Sequence, residues 1–182
     1  MERENLWAPW RIGYIQGLGA EPEDKGKRRK KEACFICQVR RDLANDDKNL
    51  VLWRSPQCIV ILNRFPYNNG HLLIAPLRHI PDLHKATDQE LMEIFKLLRE
   101  AQKALSLAIG PHGFNVGMNF GRCAGAGLPG HLHVHLVPRW SGDTNFMSVC
   151  GNTDVISQSL YELLAQLKQI SKEHNLPQLS EA

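Results

Sequence analysis

Three histidines at alternate positions are the residues of this sequence best suited to chemistry. His131, His133 and His135 lie in the otherwise apolar run 130–140. In an extended strand, alternate side chains point to the same face of the sheet. The pattern therefore predicts one row of imidazoles, with the intervening apolar side chains packed into a core. A neutral imidazole can serve as a nucleophile, as an acid or base, or as a metal ligand.

Two kinds of chemistry fit such a row. All three imidazoles could bind one metal ion, as in several zinc enzymes. Alternatively, one imidazole attacks a phosphorus atom while a neighbour hydrogen-bonds the phosphate or the leaving group. Row neighbours on one strand are about 7 Å apart, whereas zinc ligands must converge to about 2 Å from the ion. The spacing therefore favours phosphate chemistry.

A glycine-dense loop, residues 121–130, leads directly into the histidine run. Its glycines allow backbone N–H groups to approach an anion closely. The loop therefore predicts an anion-binding element next to the histidines.

The remaining sequence predicts an α+β fold with a mostly antiparallel sheet. Thr87 and Glu90 have the spacing of a capping box, and apolar residues at helical spacing continue from there to Gly110, which predicts one long helix. Leucines at 160–167 predict a C-terminal helix that a polar tail follows. The predicted strands are 49–53, 57–63, 71–76, 114–120 and the histidine run.

Length and charge limit the classes of protein that the chain can belong to. At 182 residues, it has the size of one compact domain. The net charge of +3 is too small to indicate nucleic-acid binding, and much of it lies in 25–31, which we interpret as a solvated loop.

With no apolar segment after Met1 and no stretch able to cross a bilayer, we expect a cytoplasmic protein with no membrane partner. The predicted boundaries are 1–33 for an N-terminal docking segment and basic loop, and 34–182 for the domain with its C-terminal helix and tail.

Several motifs together resemble the histidine triad (HIT) superfamily of nucleotide hydrolases and transferases. The resemblance covers roughly residues 34–147, and the runs 6–11 and 124–147 are most similar to the bacterial diadenosine tetraphosphate phosphorylase branch. The motifs that carry it are Asn63, Gly70-His71, the three alternate histidines, the glycine loop and Pro138-Arg139.

The resemblance implies that the histidines transfer a nucleotidyl group in two steps. His133 would attack phosphorus and form a covalent nucleotidyl-histidine, which phosphate or water then releases. His135 would hydrogen-bond the phosphate and the bridging oxygen. His71 would support the histidine triad from a neighbouring strand. Asn63 would line the nucleotide site, while Asn119 and the loop amides would stabilise charge.

The same resemblance implies the partners and the architecture. The expected fold is HIT-like, with a five-stranded sheet, one long helix and one C-terminal helix. The expected substrate is a dinucleoside polyphosphate, with diadenosine tetraphosphate preferred. Inorganic phosphate is a possible co-substrate, and the family suggests a homodimer.

The glycine loop departs from the family pattern at one place. Hydrolase branches usually carry Gln or Ser three to four residues before the first histidine, where this chain has Gly127 and Leu128. Backbone amides of 125–130, with Gly125, Gly127 and Gly130 among them, would have to replace that side chain. Two alternatives therefore stay open: hydrolysis of diadenosine triphosphate or nucleoside phosphoramidates, and a nucleotide-binding module without catalysis.

A pair of cysteines predicts a second site. Cys34 and Cys37 are spaced so that both sulfur atoms can reach one zinc ion, and a structural site needs two more ligands. In zinc-containing members of the superfamily, the matching positions are His79 and His131, so the resemblance implies a structural zinc that clamps the N-terminal segment to the histidine strand. Two buried thiols without a metal are the alternative. A redox role is less favoured, because no helix is predicted to begin at Cys34 and lower its pKa.

Overall fold

One antiparallel sheet forms the centre of the protein. The structure is a computed structural model that describes residues 34–143 and 155–179. Within these ranges, five strands are ordered β1-β2-β3-β5-β4, and every neighbouring pair is antiparallel. The strands are β1 (Val51–Arg54), β2 (Cys58–Leu62), β3 (Leu72–Pro76), β4 (Gly113–Gly117) and β5 (Val134–Arg139). The predicted α+β class and five-stranded antiparallel sheet are confirmed.

Helices cover both faces of this sheet. The described α-helices are α1 (Phe35–Arg41), α2 (Asp88–Ile109) and α3 (Leu160–Glu173). Helix α2 begins with the predicted capping box, in which Thr87 and Glu90 each accept a hydrogen bond from the backbone amide of the other. It ends at Gly110, whose φ of 53° is left-handed. The long helix and the C-terminal helix are therefore confirmed, whereas the short α1 was not predicted.

Two apolar clusters attach the helices to the sheet. On one face, α2 and α3 pack against β1, β2, β3 and β5, and this cluster is the larger one. On the other face, Ile36 and Val39 of α1 pack against Ile59, Ile61 and Leu73. Strands β2 and β3 are buried along their whole length because both of their faces are covered. The segment after α3 also differs from the predicted polar tail, since Leu176 is buried in the larger cluster.

The histidine run enters the sheet later than predicted. Strand β5 begins at Val134, so His131 and His133 precede it and only His135 lies within it. The pairing of β3 with β5 begins at Ile74 and Val134. The apolar alternation is as predicted, because Leu132, Val134 and Leu136 are all buried. Val134 and Leu136 belong to the larger cluster.

Some predicted features lie outside the described residues. The docking segment and basic loop, 1–33, are among them, as are 144–154 and 180–182. In the described ranges, no helix is both long enough and apolar enough to cross a membrane.

An ion pair fastens the loop after β3 to the first turn of α2. Arg78 Nε and Nη2 donate to the two carboxylate oxygens of Glu90, each at 2.7 Å, and Nη2 also donates to the carbonyl of Lys85 at 2.9 Å. The Glu90 side chain is only 1% exposed. Hydrogen bonds from Arg78, and secondarily from Thr87, lower the pKa of Glu90 to about 2. Glu90 therefore stays ionised in the folded protein at neutral pH.

We expect Arg78→Ala to lower the free energy of unfolding at pH 7 by about 1–3 kcal/mol, because it leaves a buried carboxylate without its main donor. The folded-state pKa of Glu90, about 2, is below its ordinary value of 4.5. The contribution of the pair is therefore fully present above pH 4.5 and is lost as the pH falls toward 2. Urea unfolding of both proteins at pH 7 and pH 3 measures this difference.

The control is Asp47→Asn, which removes an exposed ion pair with Lys168. Its effect on the free energy of unfolding should stay below about 1 kcal/mol. If the difference in the free energy of unfolding between wild type and Arg78→Ala is as large at pH 3 as at pH 7, the stabilisation does not come from ionised Glu90.

Candidate active site

Three of the predicted site histidines lie together on the sheet face that α1 covers. His71 directly precedes β3, and His135 of β5 pairs with Leu73, two residues further along. The ring centroids of His71 and His135 are 5.1 Å apart, and those of His133 and His135 are 4.8 Å apart. The structure thus brings His71, His133 and His135 into one cluster.

The glycine before His71 allows this placement. Gly70 has a φ of 78°, a left-handed conformation that side chains rarely adopt. A Cβ atom there would lie 2.8 Å from Cδ1 of Ile109. Glycine therefore lets the turn pass close to helix α2 and deliver His71 to the sheet.

Hydrogen bonds assign the ring protons of His71 and His135. His71 Nδ1 accepts from the backbone amide of Tyr67 at 3.1 Å and lies 3.2 Å from Nδ2 of Asn63, so it carries no proton. In the neutral ring the proton is then on Nε2, which donates to Nδ1 of His135 at 2.9 Å. His135 must therefore carry its own proton on Nε2. That Nε2 has no hydrogen-bond partner in the described residues.

His133 has the opposite arrangement. Its Nδ1 donates to the carbonyl oxygen of His131 at 2.8 Å. In the neutral ring, Nε2 is then unprotonated and keeps its lone pair. A nucleophilic nitrogen of His133 and a donor N–H of His135 consequently belong to neighbouring rings.

Burial keeps the supporting imidazoles neutral. Burial as the main cause, with His135 and His133 as secondary causes, lowers the pKa of His71 to about 3. Burial likewise lowers the pKa of His135 to about 4, with His133 as the secondary cause. Both rings are therefore uncharged at pH 7, as the hydrogen-bond assignment requires.

A cavity of about 480 Å³ adjoins the histidine cluster through Asn63. Asn63 lines the cavity, accepts a hydrogen bond from the Phe65 amide at 3.0 Å and also contacts His71. The volume is within the range of small-molecule sites. Most of the wall is apolar, and its residues are Phe35, Gln38, Val39, Asp42, Asn49, Leu50, Ile61, Leu62, Asn63, Arg64 and Phe65.

The glycine loop offers fewer amides than the sequence suggested. The Gly125 amide donates to the Arg122 carbonyl at 3.0 Å, so it is not available for a phosphate. Among the described residues, the amides of Gly127, Leu128 and Gly130 have no backbone acceptor. Of the donors that the sequence predicted at 125–130, these three amides therefore remain available.

Asn119 is half-buried after β4, and in the described parts of the chain its side chain makes no hydrogen bond. Within those parts, no hydrogen bond joins Asn119 or the loop glycines to His71, His133 or His135. Their predicted contacts with a phosphate therefore stay predictions.

The four predicted metal ligands converge at the other end of the histidine run. Ligand atoms of Cys34, Cys37, His79 and His131 all lie within 4.8 Å of one another. Cys34 Sγ is 3.1 Å and His79 Nδ1 is 3.2 Å from Nδ1 of His131, and Cys37 Sγ is 3.3 Å from Nδ1 of His79. Tetrahedral zinc with bonds of about 2.0–2.3 Å requires ligand atoms roughly 3.3–3.8 Å apart. The three short separations are within about 0.2 Å of this range, so the Cys₂His₂ group could hold a metal ion such as zinc after small side-chain shifts.

The second nitrogen of His131 supports this function. His131 Nε2 donates to the carbonyl oxygen of Pro76 at 2.8 Å, which leaves the lone pair on Nδ1, facing the two sulfur atoms. Metal-bound histidines usually donate their other ring N–H in this way. The residues present therefore fit a metal site in their chemistry as well as in their distances.

One premise of the sequence argument about the cysteines is wrong. Helix α1 begins directly after Cys34, which is its N-cap residue. The helix was not foreseen because it has only seven residues, of which Ile36 and Val39 are the buried ones. Burial, as the largest cause, nevertheless raises the pKa of the Cys34 thiol. This is the opposite of what a reactive redox thiol needs.

Sequence reasoning also missed Tyr67. Besides its amide bond to His71, its ring lies 4.7 Å from the His71 ring and 5.7 Å from the His135 ring, centroid to centroid. The turn residues around it indicated a loop, but a backbone donor leaves no signal in residue type. Tyr67 thus belongs to the support of the histidine cluster.

Comparison with known proteins identifies the family. A family model described as HIT domain matches residues 44–142. An AP-4-A phosphorylase from Mycobacterium tuberculosis is 37% identical over 159 residues, which cover 86% of this chain and 78% of that protein. A bis(5'-nucleosyl)-tetraphosphatase (asymmetrical) from Schizosaccharomyces pombe is 32% identical over 93 residues, which cover 51% of this chain and 50% of that protein. The crystal structure of a Zn-bound histidine triad family protein from Mycobacterium smegmatis has a TM-score of 0.65 at 21% identity, covering 79% of this chain and 96% of that chain. The chain belongs to the HIT domain family, as the histidine pattern predicted.

Proposed function

We propose that this protein is a nucleotidyl-transferring enzyme that cleaves dinucleoside polyphosphates, with diadenosine tetraphosphate preferred. The observation that carries the proposal is the pair of free ring nitrogens, the lone pair on His133 Nε2 and the N–H on His135 Nε2. A nucleophile next to a proton donor is what substitution at phosphorus requires. The 37% identity to an AP-4-A phosphorylase supports this substrate class.

In the proposed first step, His133 Nε2 attacks the phosphorus that carries one nucleoside. A nitrogen–phosphorus bond forms while the bond from phosphorus to the bridging oxygen breaks. His135 Nε2–H hydrogen-bonds that oxygen as negative charge develops on it. With diadenosine tetraphosphate, ATP departs and AMP stays on His133.

In the second step, an oxygen of inorganic phosphate attacks the same phosphorus. The nitrogen–phosphorus bond breaks, ADP is released and His133 regains its lone pair. The covalent intermediate divides one difficult displacement into two easier ones. Amides of the second half of the glycine loop and Asn119 would stabilise the phosphate oxygens.

The cavity next to Asn63 suits the nucleoside of the transferred group. Phe35 and Phe65 are exposed aromatic rings in its wall, and Val39 and Ile61 add apolar surface. Apolar walls with a few polar groups are typical of small-molecule sites. Asn63 both lines this cavity and contacts His71 of the histidine cluster, which supports the predicted place of Asn63 in the nucleotide site.

The Cys₂His₂ group would hold a structural zinc ion. Zinc in a closed four-ligand site contributes folding free energy and takes no part in the reaction. The ligands come from α1, from the loop after β3 and from the histidine run, so the ion would tie these three segments together. The homodimer that the family suggests stays a prediction.

Hydrolysis is the second candidate function. The tetraphosphatase from Schizosaccharomyces pombe, 32% identical over half of this chain, supports it. The two reactions share the first step and differ only in whether phosphate or water attacks the intermediate. A binding module without catalysis is a weaker candidate, because the histidine cluster and the hydrogen bonds that support it are intact.

We expect His133→Ala to lower kcat for diadenosine tetraphosphate roughly a thousandfold or more, because it removes the nucleophile. Nucleotide binding should persist, since the cavity is lined by other residues. Steady-state kinetics and calorimetric titration with AMP measure the two effects. His84→Ala, which changes an exposed histidine in the loop after β3, is the matched control. Turnover by His133→Ala at the control rate would exclude the mechanism.

Product analysis distinguishes phosphorolysis from hydrolysis. With radiolabelled inorganic phosphate, a phosphorylase should place the label in ADP and leave ATP unlabelled, because the acceptor phosphate joins only the nucleotidyl group held on His133. Without phosphate, turnover should nearly stop. Formation of AMP and ATP at an undiminished rate without phosphate would show that the enzyme is a hydrolase.

Metal analysis tests the zinc proposal. Purified protein should contain about one zinc per chain, and Cys37→Ser should lower both the zinc content and the midpoint of thermal unfolding, because a structural zinc stabilises the folded state. Cys123→Ser, which changes an exposed cysteine outside the ligand group, should alter neither quantity. Equal zinc contents in the two variants would refute the assignment.

A further inference from the structure

The predicted nucleophile lies just outside the sheet. Strand β5 begins at Val134, and the Ile74–Val134 pair is the first that joins it to β3. His133 therefore precedes the ladder, whereas His135 is fixed within it. Something other than the sheet must set the direction of the His133 ring.

The described hydrogen bond that sets this direction runs to residue 131. His133 Nδ1 donates to the His131 carbonyl at 2.8 Å, and the ring is 93% buried, so little space remains for another partner. This one bond selects the tautomer in which Nε2 keeps its lone pair. The position of the His131 peptide therefore controls where the nucleophilic nitrogen points.

His131 is in turn fixed at both ends of its ring. Nε2 donates to the Pro76 carbonyl at 2.8 Å, while Nδ1 faces Cys34, Cys37 and His79. The next residue, Leu132, donates its amide to the Ile80 carbonyl at 2.6 Å. The segment that carries the nucleophile is thus attached to the loop after β3 and to the Cys₂His₂ group, before it joins the sheet.

We propose that His131 is a positioning residue that couples the metal site to the nucleophile. With its Nδ1 bound to the metal, His131 holds its own carbonyl in place, and that carbonyl keeps His133 Nε2 directed at the phosphorus. The inference rests on the proposed function for its effect on catalysis. It goes beyond a clamp between segments, because it gives the Cys₂His₂ group an effect on kcat.

The distances indicate why loss of the metal should disturb this arrangement. His79 Nδ1 and His131 Nδ1 are 3.2 Å apart, and His131 Nδ1 is an acceptor because Nε2 is the donor to Pro76. A metal ion bound to all four ligand atoms would fix the His131 ring through Nδ1. Without the ion, only hydrogen-bond contacts with Cys34 and His79 hold that nitrogen, and such contacts restrain the ring less than a coordinate bond. Small displacements of a reacting atom are costly, since proximity and alignment supply a large part of the rate.

The test uses His79→Ala, which removes the ligand that is exposed at the surface. We expect zinc content to fall and kcat for diadenosine tetraphosphate to fall about 10- to 100-fold, the range seen when a support of a metal site is removed. KM is measured as well, because Phe35 and Val39 of α1 line the cavity next to Asn63 and loss of the metal can also change nucleotide binding. Wild type stripped with a chelator should show the same loss, and added zinc sulfate should restore it. His84→Ala is the matched control, and it should keep both zinc and kcat.

A spectroscopic measurement gives a readout that does not depend on turnover. The ¹⁵N chemical shifts of the His133 ring report which nitrogen carries the proton. In zinc-loaded wild type, Nδ1 should be protonated and Nε2 should not. In His79→Ala and in stripped wild type, the two shifts should move toward each other as the ring loses its single orientation. If His79→Ala does not fold, Cys37→Ser and the stripped wild type carry the test.

Two results would overturn the proposal. Zinc-free protein that keeps wild-type kcat would show that His131 needs no metal to position the nucleophile. An unchanged His133 tautomer after zinc removal would show the same without any substrate. If wild type cleaves no dinucleoside polyphosphate, the proposed function fails, while the ¹⁵N measurement still decides the coupling of the metal site to His133.

Discussion

Burial of imidazoles against an apolar sheet face is the constraint on which the site depends. A buried ring nitrogen without a partner is costly, so each ring must bond through a specific nitrogen. The Tyr67 amide makes Nδ1 the accepting nitrogen of His71, and His71 in turn makes Nδ1 the accepting nitrogen of His135. The His131 carbonyl makes Nδ1 the donating nitrogen of His133. The two nitrogens that remain are His133 Nε2, which keeps its lone pair, and His135 Nε2, which carries a proton. The pair that we propose as reactive thus results from satisfying hydrogen bonds in a low-dielectric surrounding.

The same constraint connects the two ends of the histidine run. His131 satisfies Nε2 with the Pro76 carbonyl and presents Nδ1 to the cysteines, so its ring bridges β3 and α1. In the proposed arrangement, His131 would supply a metal ligand through Nδ1 of its ring and a fixed carbonyl through its backbone, and so would serve both sites. For this reason the three alternate histidines are not equivalent, although their spacing is identical. Their different neighbours distinguish them.

Local patterns in the sequence predicted the elements well, and non-local contacts account for what was missed. The capping box at Thr87 and the apolar alternation around the histidines were sufficient, because both depend on residues close in the chain. The start of β5 at Val134 was not predictable, because it depends on where β3 ends and on the carbonyls of Pro76 and Ile80. Similarly, the contribution of Tyr67 is a backbone amide, which any residue except proline could supply. The resemblance named the ligand and triad residues, whereas the tautomers required the structure.

The glycine loop narrows the chemistry that remains for the histidines. The donors that remain available at 125–130 are the amides of Gly127, Leu128 and Gly130, which stabilise charge but cannot transfer a proton at neutral pH. A serine or glutamine in the loop would add a side-chain donor next to the leaving oxygen, and this chain has none at Gly127 or Leu128. In the proposed mechanism, the leaving oxygen would therefore receive its hydrogen bond from His135 Nε2–H, which His71 supports. A leaving polyphosphate needs little such help because it is a stable anion, whereas the amine leaving group of a phosphoramidate needs a full proton. This difference in leaving group is one reason why we propose phosphoanhydride substrates and not phosphoramidates.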